Sequence, residues 1–224
     1  MSIVSIFQQG GPVMFVLLAL SVLATAIILL KLFQFKRSGL RNVDYVESIL
    51  STLQRGEHTK ALKDLQARSH PVARVMESAI RCGINPAMSV RDIEAEVSRI
   101  GTAQIRNLET WLRGLSSIAH LSPLLGLLGT VTGMINAFMR LEEAGSRVDP
   151  SILSGGIWEA LLTTAFGLAV AIPAMAAFYY LEGEVDNVRA GMKDTSVRVL
   201  RYYGKTPHID SHDDERLEDE THGF

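Results

Sequence analysis

The sequence predicts an all-α integral membrane protein, with three transmembrane helices and long cytoplasmic helical extensions. Two observations predict it. Three uncharged or nearly uncharged runs, Val13–Leu30, the stretch between Arg113 and Arg140, and Ser151–Leu181, are long enough to cross a bilayer. The polar stretches between and after them repeat apolar residues at helical spacing. Composition agrees: of 224 residues, 47% are hydrophobic and 21% charged, too apolar for an average soluble domain and too charged for a chain lying wholly in lipid.

The first span carries no charge from Met1 through Leu30 and leaves the membrane at Lys31. Ala24-Thr25-Ala26 resembles a secretory cleavage site, but no basic segment precedes it and the apolar run continues past it. Lys31, Lys36, Arg37 and Arg41 follow this span and nothing basic precedes it, which predicts an outside N-terminus and a cytoplasmic continuation. The Leu141–Pro150 link is then outside, with Glu142, Glu143 and Asp149 against Arg147. The C-terminus is inside, with Arg189, Lys193, Arg198 and Arg201.

Between the first two spans, Val43, Val46, Ile49, Leu50 and Leu53 mark one helical face that stops at Gly56. Leu62 and Leu65 mark a short helix, broken at His70-Pro71. The next helix is broken at Gly83-Ile84-Asn85-Pro86. Ser89, with Asp92 three residues on, opens a long helix whose stripe runs through Val90, Ile93, Val97, Ile100, Leu108, Trp111 and Leu115. No breaker separates it from the second span, so the two are expected to form one continuous rod. The third span is expected to continue as a helix through Val185, Val188, Met192, Val199 and Tyr202. The stretch from Asp210 to Glu220 is almost all acidic and lacks apolar periodicity, so it is expected to be disordered. The chain divides accordingly into an outside segment with the first span (1–36), a cytoplasmic helical domain (37–114), a core of the second and third spans (115–181), a cytoplasmic helical extension (182–204) and an acidic tail (205–224).

Several functions find no support. A net charge of −2 gives no sign of nucleic-acid binding, and the single Cys82 permits no internal disulfide. No CxxC, HExxH or GxxxxGK[ST] motif occurs, and the six histidines show no ligand spacing. No metal, cofactor or enzymatic activity is expected.

The spans themselves are informative. Gly126, Thr130, Gly133 and Ala137 share one face of the second span, where Gly129 and Gly133 also form a GxxxG. Ala160, Thr164, Gly167, Ala171 and Ala174 make a similar stripe on the third. Small residues let helices approach closely in lipid, where apolar burial supplies little drive. Pro123 and Pro173 each remove a helical hydrogen bond and are expected to kink these spans. Ser151–Leu181 contains one charged side chain, Glu159. Burying a charge there costs about 2.5–3.5 kcal/mol on insertion scales. Such a residue either snorkels to the outer interface or handles protons or ions, with Thr163 one turn further in and hydroxyls at Thr130, Thr132 and Thr164 able to hold water. One carboxyl does not complete a proton path, which points to a partner subunit carrying a second titratable group.

Two long segments carry a resemblance: Ser122 through Ile135 (SPLLGLLGTVTGMI) and Trp158 through Ala174 (WEALLTTAFGLAVAIPA). They resemble the MotA/TolQ/ExbB proton-channel family, and the TolQ/ExbB branch most closely. Gly10-Gly11-Pro12-Val13-Met14 and the basic exit from Lys31 to Arg37 are also similar to ExbB-type proteins. After the IPA motif and a few apolar residues, many relatives have Tyr-Asn where this chain has Tyr179-Tyr180-Leu181, which loosens the subfamily assignment but not membership.

The resemblance implies a multi-pass protein of the bacterial inner membrane that forms a homopentamer, its second and third spans lining a pore. It implies single-span partners of the ExbD/TolR type inside that pore, each with a membrane aspartate, and proton flow that drives a TonB-like or TolA-like transducer. By position, Glu159 matches the family's pore glutamate, and Thr130 and Thr164 its pore threonines. A stand-alone ion or solute transporter is the alternative class, against which three spans without an inverted repeat argue. A passive scaffold would have no need of Glu159. A flagellar- or gliding-type stator subunit is the nearest rival within the family, but flagellar-type stators usually have four spans.

The predicted topology is testable with single cysteines in a Cys82→Ser background. An impermeant thiol reagent added to intact cells should label Ser146→Cys and leave Lys60→Cys unlabelled. Labelling at position 60 reverses the orientation.

Overall fold

The computed structural model describes residues 11–40, 43–143 and 150–205. Positions 144–149 of the Leu141–Pro150 link and the acidic stretch from Asp210 to Glu220 lie outside these described residues. Every regular element among them is an α-helix: α1 (Gly11–Ser38), α2 (Tyr45–Gln54), α3 (His58–Gln66), α4 (Pro71–Ile84), α5 (Val90–Glu109), α6 (Leu112–Glu143) and α7 (Pro150–Tyr202). Three of these, α1, α6 and α7, are long and apolar enough to cross a membrane. The chain forms two compact units. One comprises Met1–Arg37 with Leu108–Val185, and the other Ser38–Asn107 with Asp186–Phe224.

In the first unit, α1 starts beside Pro12, whose fixed φ suits a first turn. It ends with Lys36 and Arg37 in its last turn and Gly39 at φ +58, the left-handed position that stops helices. One narrow stripe of α1 is buried: Met14, Leu17, Ala24, Ile27, Lys31 and Phe35. Phe15, Val22, Leu29, Leu30 and Phe33 are exposed, as lipid allows. Lys31 is only 3% exposed. Its Nζ donates to the Leu108 carbonyl and to Gln34 Oε1, both at 2.9 Å.

The long rod expected from Ser89 into the second span is interrupted. Helix α5 ends at Glu109 and α6 starts at Leu112. Between them Trp111 has φ +70, the only positive φ at a non-glycine among the described residues. An L-residue in this conformation costs roughly 1–2 kcal/mol. The left-handed backbone at Trp111 breaks the helical ladder, and the Leu108 carbonyl has a tertiary partner. In a continuous helix the Leu112 N–H would donate to the Leu108 carbonyl, and here Lys31 donates to that oxygen. The Trp111 carbonyl then accepts from Leu115 N and opens α6. Trp111 itself is 65% exposed rather than part of the buried stripe.

Within the second unit the expected breaks occur where the sequence places them. Gly56, at φ +78, separates α2 from α3. Helix α5 is capped as expected, with Asp92 N donating to Ser89 Oγ and that hydroxyl donating to Asp92 Oδ2. The third span continues unbroken to Tyr202, as its periodicity predicts. Beyond it, Tyr202 Oη donates to the Leu53 carbonyl, Tyr203 Oη bonds His58 Nδ1, and Lys205 Nζ donates to the carbonyls of Asn85 and Met88. Lys205, the first residue of the expected tail, is thus tied into this unit. Val43, placed on the first helical face by spacing, precedes α2 and is exposed.

His70 caps α4. Its Nδ1 accepts from Val72 N at 3.1 Å, and its Nε2 lies 3.3 Å from the Leu40 carbonyl. The ring also packs edge-on against Tyr45. The cap therefore requires the neutral ring, with Nδ1 bare. Burial pushes the His70 pKa below its usual 6.5, the Leu40 carbonyl opposes this, and the nearby Arg68 charge adds to it. A histidine with a lowered folded pKa contributes stability above its ordinary value and loses it as pH falls through the folded one. Melting of the detergent-solubilised protein should drop between pH 7.5 and 5 by the worth of a cap, about 0.5–2 kcal/mol. In His70→Asn, which caps without titrating, that slope should flatten. An unchanged slope would move the acid sensitivity elsewhere.

Candidate functional site

The second and third spans meet as an antiparallel pair whose contact is built from backbone and small side chains. A Cβ added to Gly126 would lie 3.0 Å from Thr164 Cα and 3.1 Å from the Thr163 carbonyl. One added to Gly167 would lie 2.6 Å from the Ser122 carbonyl and 3.0 Å from Gly126 Cα. Gly133 faces Ala160, Gly129 faces the Thr163 side chain and Gly156 faces Ala137, the last two too closely to admit a Cβ. The four packing glycines expected from sequence, Gly126, Gly129, Gly133 and Gly167, all stand at this contact.

Hydroxyls bridge the pair. Thr164 Oγ1 donates to the Gly126 carbonyl at 2.9 Å. Thr163 Oγ1 bonds the Ala160 carbonyl at 2.7 Å and reaches the same Gly126 carbonyl at 3.4 Å. Ser122 Oγ donates to the Ile118 carbonyl. The Thr163–Ala160 and Ser122–Ile118 bonds are local ones that satisfy a hydroxyl away from water, and the Thr164–Gly126 bond crosses between the helices. Pro123 and Pro173 lie inside α6 and α7, which continue as helix through both. Each proline lacks the N–H that would bond the carbonyl four residues earlier, at Ala119 and Ala169. Among the described residues, no threonine reaches either carbonyl.

The three candidate proton-handling residues take distinct places on this hairpin. Glu159 is half-buried on α7, next to Ala160 and one turn before the buried Thr163. Thr164 is half-buried in the contact. Thr130 is half-buried on α6 and donates to its own Leu127 carbonyl at 2.6 Å. Among the described residues no hydrogen bond joins Glu159, Thr130 and Thr164. The hairpin brings them to one pair of helices without linking them directly.

Sequence reasoning named Thr163 only as one turn beyond Glu159, not at the helix contact, and it missed Gly156. Thr163 is more buried than Thr164 and fits against Gly129; the spacing from Ala160 to Gly167 allowed either threonine on the small stripe. Gly156 lies four residues before Ala160 and extends that stripe. Around the pair, Leu124, Leu127, Leu128, Val131 and Ile135 of α6, and Trp158, Leu161, Leu168 and Ile172 of α7, are exposed apolar residues.

Comparison with known proteins places this hairpin in context. The pattern of the MotA/TolQ/ExbB proton channel family matches residues 67–194, more than half of the chain. A protein of Methanothermobacter thermautotrophicus named as a biopolymer transport protein ExbB homologue is 27% identical over 187 residues, covering 83% of this chain and 65% of that protein. An ExbB-like biopolymer transport protein of Synechocystis is 33% identical over 182 residues, covering 78% of this chain and 68% of its own length. The Tol-Pal system protein TolQ of Haemophilus influenzae is 36% identical over 110 residues, 47% of this chain and 48% of the relative. The chain thus spans just under two thirds of the first of these relatives and about half of the TolQ protein.

The packing can be tested by adding single atoms. Gly167→Ala places a Cβ against backbone on two sides and should destabilise the hairpin by about 1–3 kcal/mol, with Gly167→Leu worse. Gly155→Ala, whose Cβ meets nothing within 4 Å, should be neutral or slightly stabilising. Detergent-titration unfolding and oligomer mass are the readouts. Equal stability of both alanine variants would show that this face does not hold the spans together.

Proposed function

This chain belongs to the MotA/TolQ/ExbB proton channel family, and we propose that it is the proton-conducting subunit of an ExbB/TolQ-like motor in the bacterial inner membrane. The observation that carries this reading is the place of Glu159. It is a carboxyl on a helix otherwise free of charge through Leu181, half-buried and next to Ala160, which packs against Gly133 of the second span. Carboxyls in membrane spans are costly and mark ion or proton paths.

In this reading Glu159 takes up and releases protons, and hydroxyls on the same hairpin, Thr130 and Thr164, orient water beside it. A path needs a second titratable group, supplied by a membrane aspartate of an ExbD/TolR-like single-span partner. A homopentamer encloses that partner between copies of α6 and α7, and a TonB-like or TolA-like protein passes the work onward. Relatives named ExbB and TolQ support the energy-transducing class. The exposed apolar faces of α6 and α7 supply surface for neighbouring copies and lipid. The N-terminus and the Leu141–Pro150 link face outside, and the polar helical parts and C-terminus face the cytoplasm.

The test is proton-gradient-driven client activity in cells, with protein level and oligomer mass measured alongside. Glu159→Gln and Glu159→Ala should abolish activity while the complex assembles. Glu159→Asp should keep part of it, because the carboxyl survives one methylene shorter. Thr130→Ala and Thr164→Ala should be milder, since water can replace a hydroxyl. Wild-type activity in Glu159→Gln would remove the proton role. Failure of that variant to assemble would make Glu159 a packing residue.

A further inference from the structure

Three features coincide at one end of the first unit, and proton handling at Glu159 uses none of them. Lys31 is buried within an otherwise apolar stripe of α1. Lysines are almost never fully buried unless paired, and in spans they usually extend to the interface. The second feature is its acceptor. Leu108 lies in the last turn of α5, where the final four carbonyls have no donor within their own helix and carry the negative end of the helix dipole. Third, three residues later, Trp111 holds a left-handed backbone that favours glycine. Lys31, Leu108 and Trp111 all belong to the same compact unit.

We propose that Lys31 is the positioning residue of a strained joint, and that its bond to the Leu108 carbonyl fixes where α6 begins and thereby the register of Ser122–Gly133 against the third span. The mechanism turns on the partner of one oxygen: a carbonyl can accept twice, but here the Lys31 amine, with the left-handed turn at Trp111, stands in place of the ladder bond from the Leu112 N–H. While Lys31 holds the Leu108 carbonyl, α5 stops and α6 starts afresh from the Trp111 carbonyl. If the amine is lost, that oxygen loses this donor and is satisfied within the protein by the Leu112 N–H once Trp111 relaxes into right-handed helix. Closing the joint turns α6 about its axis. One residue of a helix is about 100° of rotation, enough to carry Gly126 and Gly129 off the third span. Gln34, which also receives the Lys31 amine, and Phe35, whose ring centre lies 5.8 Å from it, hold the side chain in place.

The consequence for proton flow rests on the function proposed above, so the experiment reads the joint separately. Amide exchange is followed by mass spectrometry over residues 109–116 in the purified, assembled complex, alongside oligomer mass and proton-driven activity. Lys31→Met keeps the stem and removes the donor. It should change exchange over this segment by about tenfold or more while Lys31→Arg stays within about twofold of wild type. Activity should fall in Lys31→Met and recover in Lys31→Arg. Trp111→Gly removes the backbone strain, so the Lys31→Met effect should shrink to about twofold in that background, a non-additive pair. Wild-type exchange in Lys31→Met overturns the proposal, as does an undiminished effect in the Trp111→Gly background. Should Lys31→Met fail to assemble, assembly of the double variant still supports the joint, and its failure overturns it. If exchange follows this pattern while Glu159→Gln retains full activity, the joint stands and the proton-conducting role falls.

Discussion

The structure of the membrane unit depends on two backbones touching. Gly126 and Gly167 bring α6 and α7 so close that a single added methyl at either would meet main-chain atoms. In water, burying apolar surface would drive such a contact. In lipid that drive is nearly absent, so the association rests on dispersion at short range and on hydroxyl-to-carbonyl bonds between helices. Thr164 makes such a bond to the Gly126 carbonyl, which Thr163 Oγ1 approaches at 3.4 Å while bonded to Ala160 in its own helix. The same residues that permit the approach therefore also expose the carbonyl that fastens it. Glu159 and Thr130 take their positions from this contact, although neither is bonded across it.

Much of this was legible in the sequence because it depends on residue size and period. Small residues every three or four positions specify a face, and Gly126, Gly129, Gly133 and Gly167 all fell on it. The period could not decide between Thr163 and Thr164, which differ by only one helical step. The Ser89 cap of the second unit was equally legible, since Ser89 and Asp92 satisfy each other and the local backbone, whereas His70-Pro71 was legible as a break and not as a cap. The interruption at Trp111 was not. No glycine or proline marks it, and local propensity favours continuing the helix. The carbonyl left at the break is met from 77 residues away, by an amine on α1. A contact between distant residues overrides local preference without leaving a local signature.

The second unit shows how a long helix can close a small domain with its last turn. Tyr202, Tyr203 and Lys205 reach three different segments: the Leu53 carbonyl, His58, and the Asn85–Met88 turn. Gly83 lies beneath the Tyr203 ring, where a side chain would collide with it. Backbone carbonyls at helix ends and turns are the usual unsatisfied acceptors of small helical domains, and here one C-terminal stretch satisfies several of them.

The threonine bonds of the hairpin carry a further chemical consequence. A hydroxyl has one hydrogen and two lone pairs. Thr130 gives its hydrogen to Leu127, Thr163 to Ala160 and Thr164 to Gly126. Each hydrogen is committed to a backbone carbonyl, so these oxygens turn only electron pairs toward anything beside them. Such a surface accepts and does not donate. It favours species that bring their own hydrogen or positive charge, such as a hydronium ion, a water molecule or a protonated carboxyl, and it offers nothing to chloride.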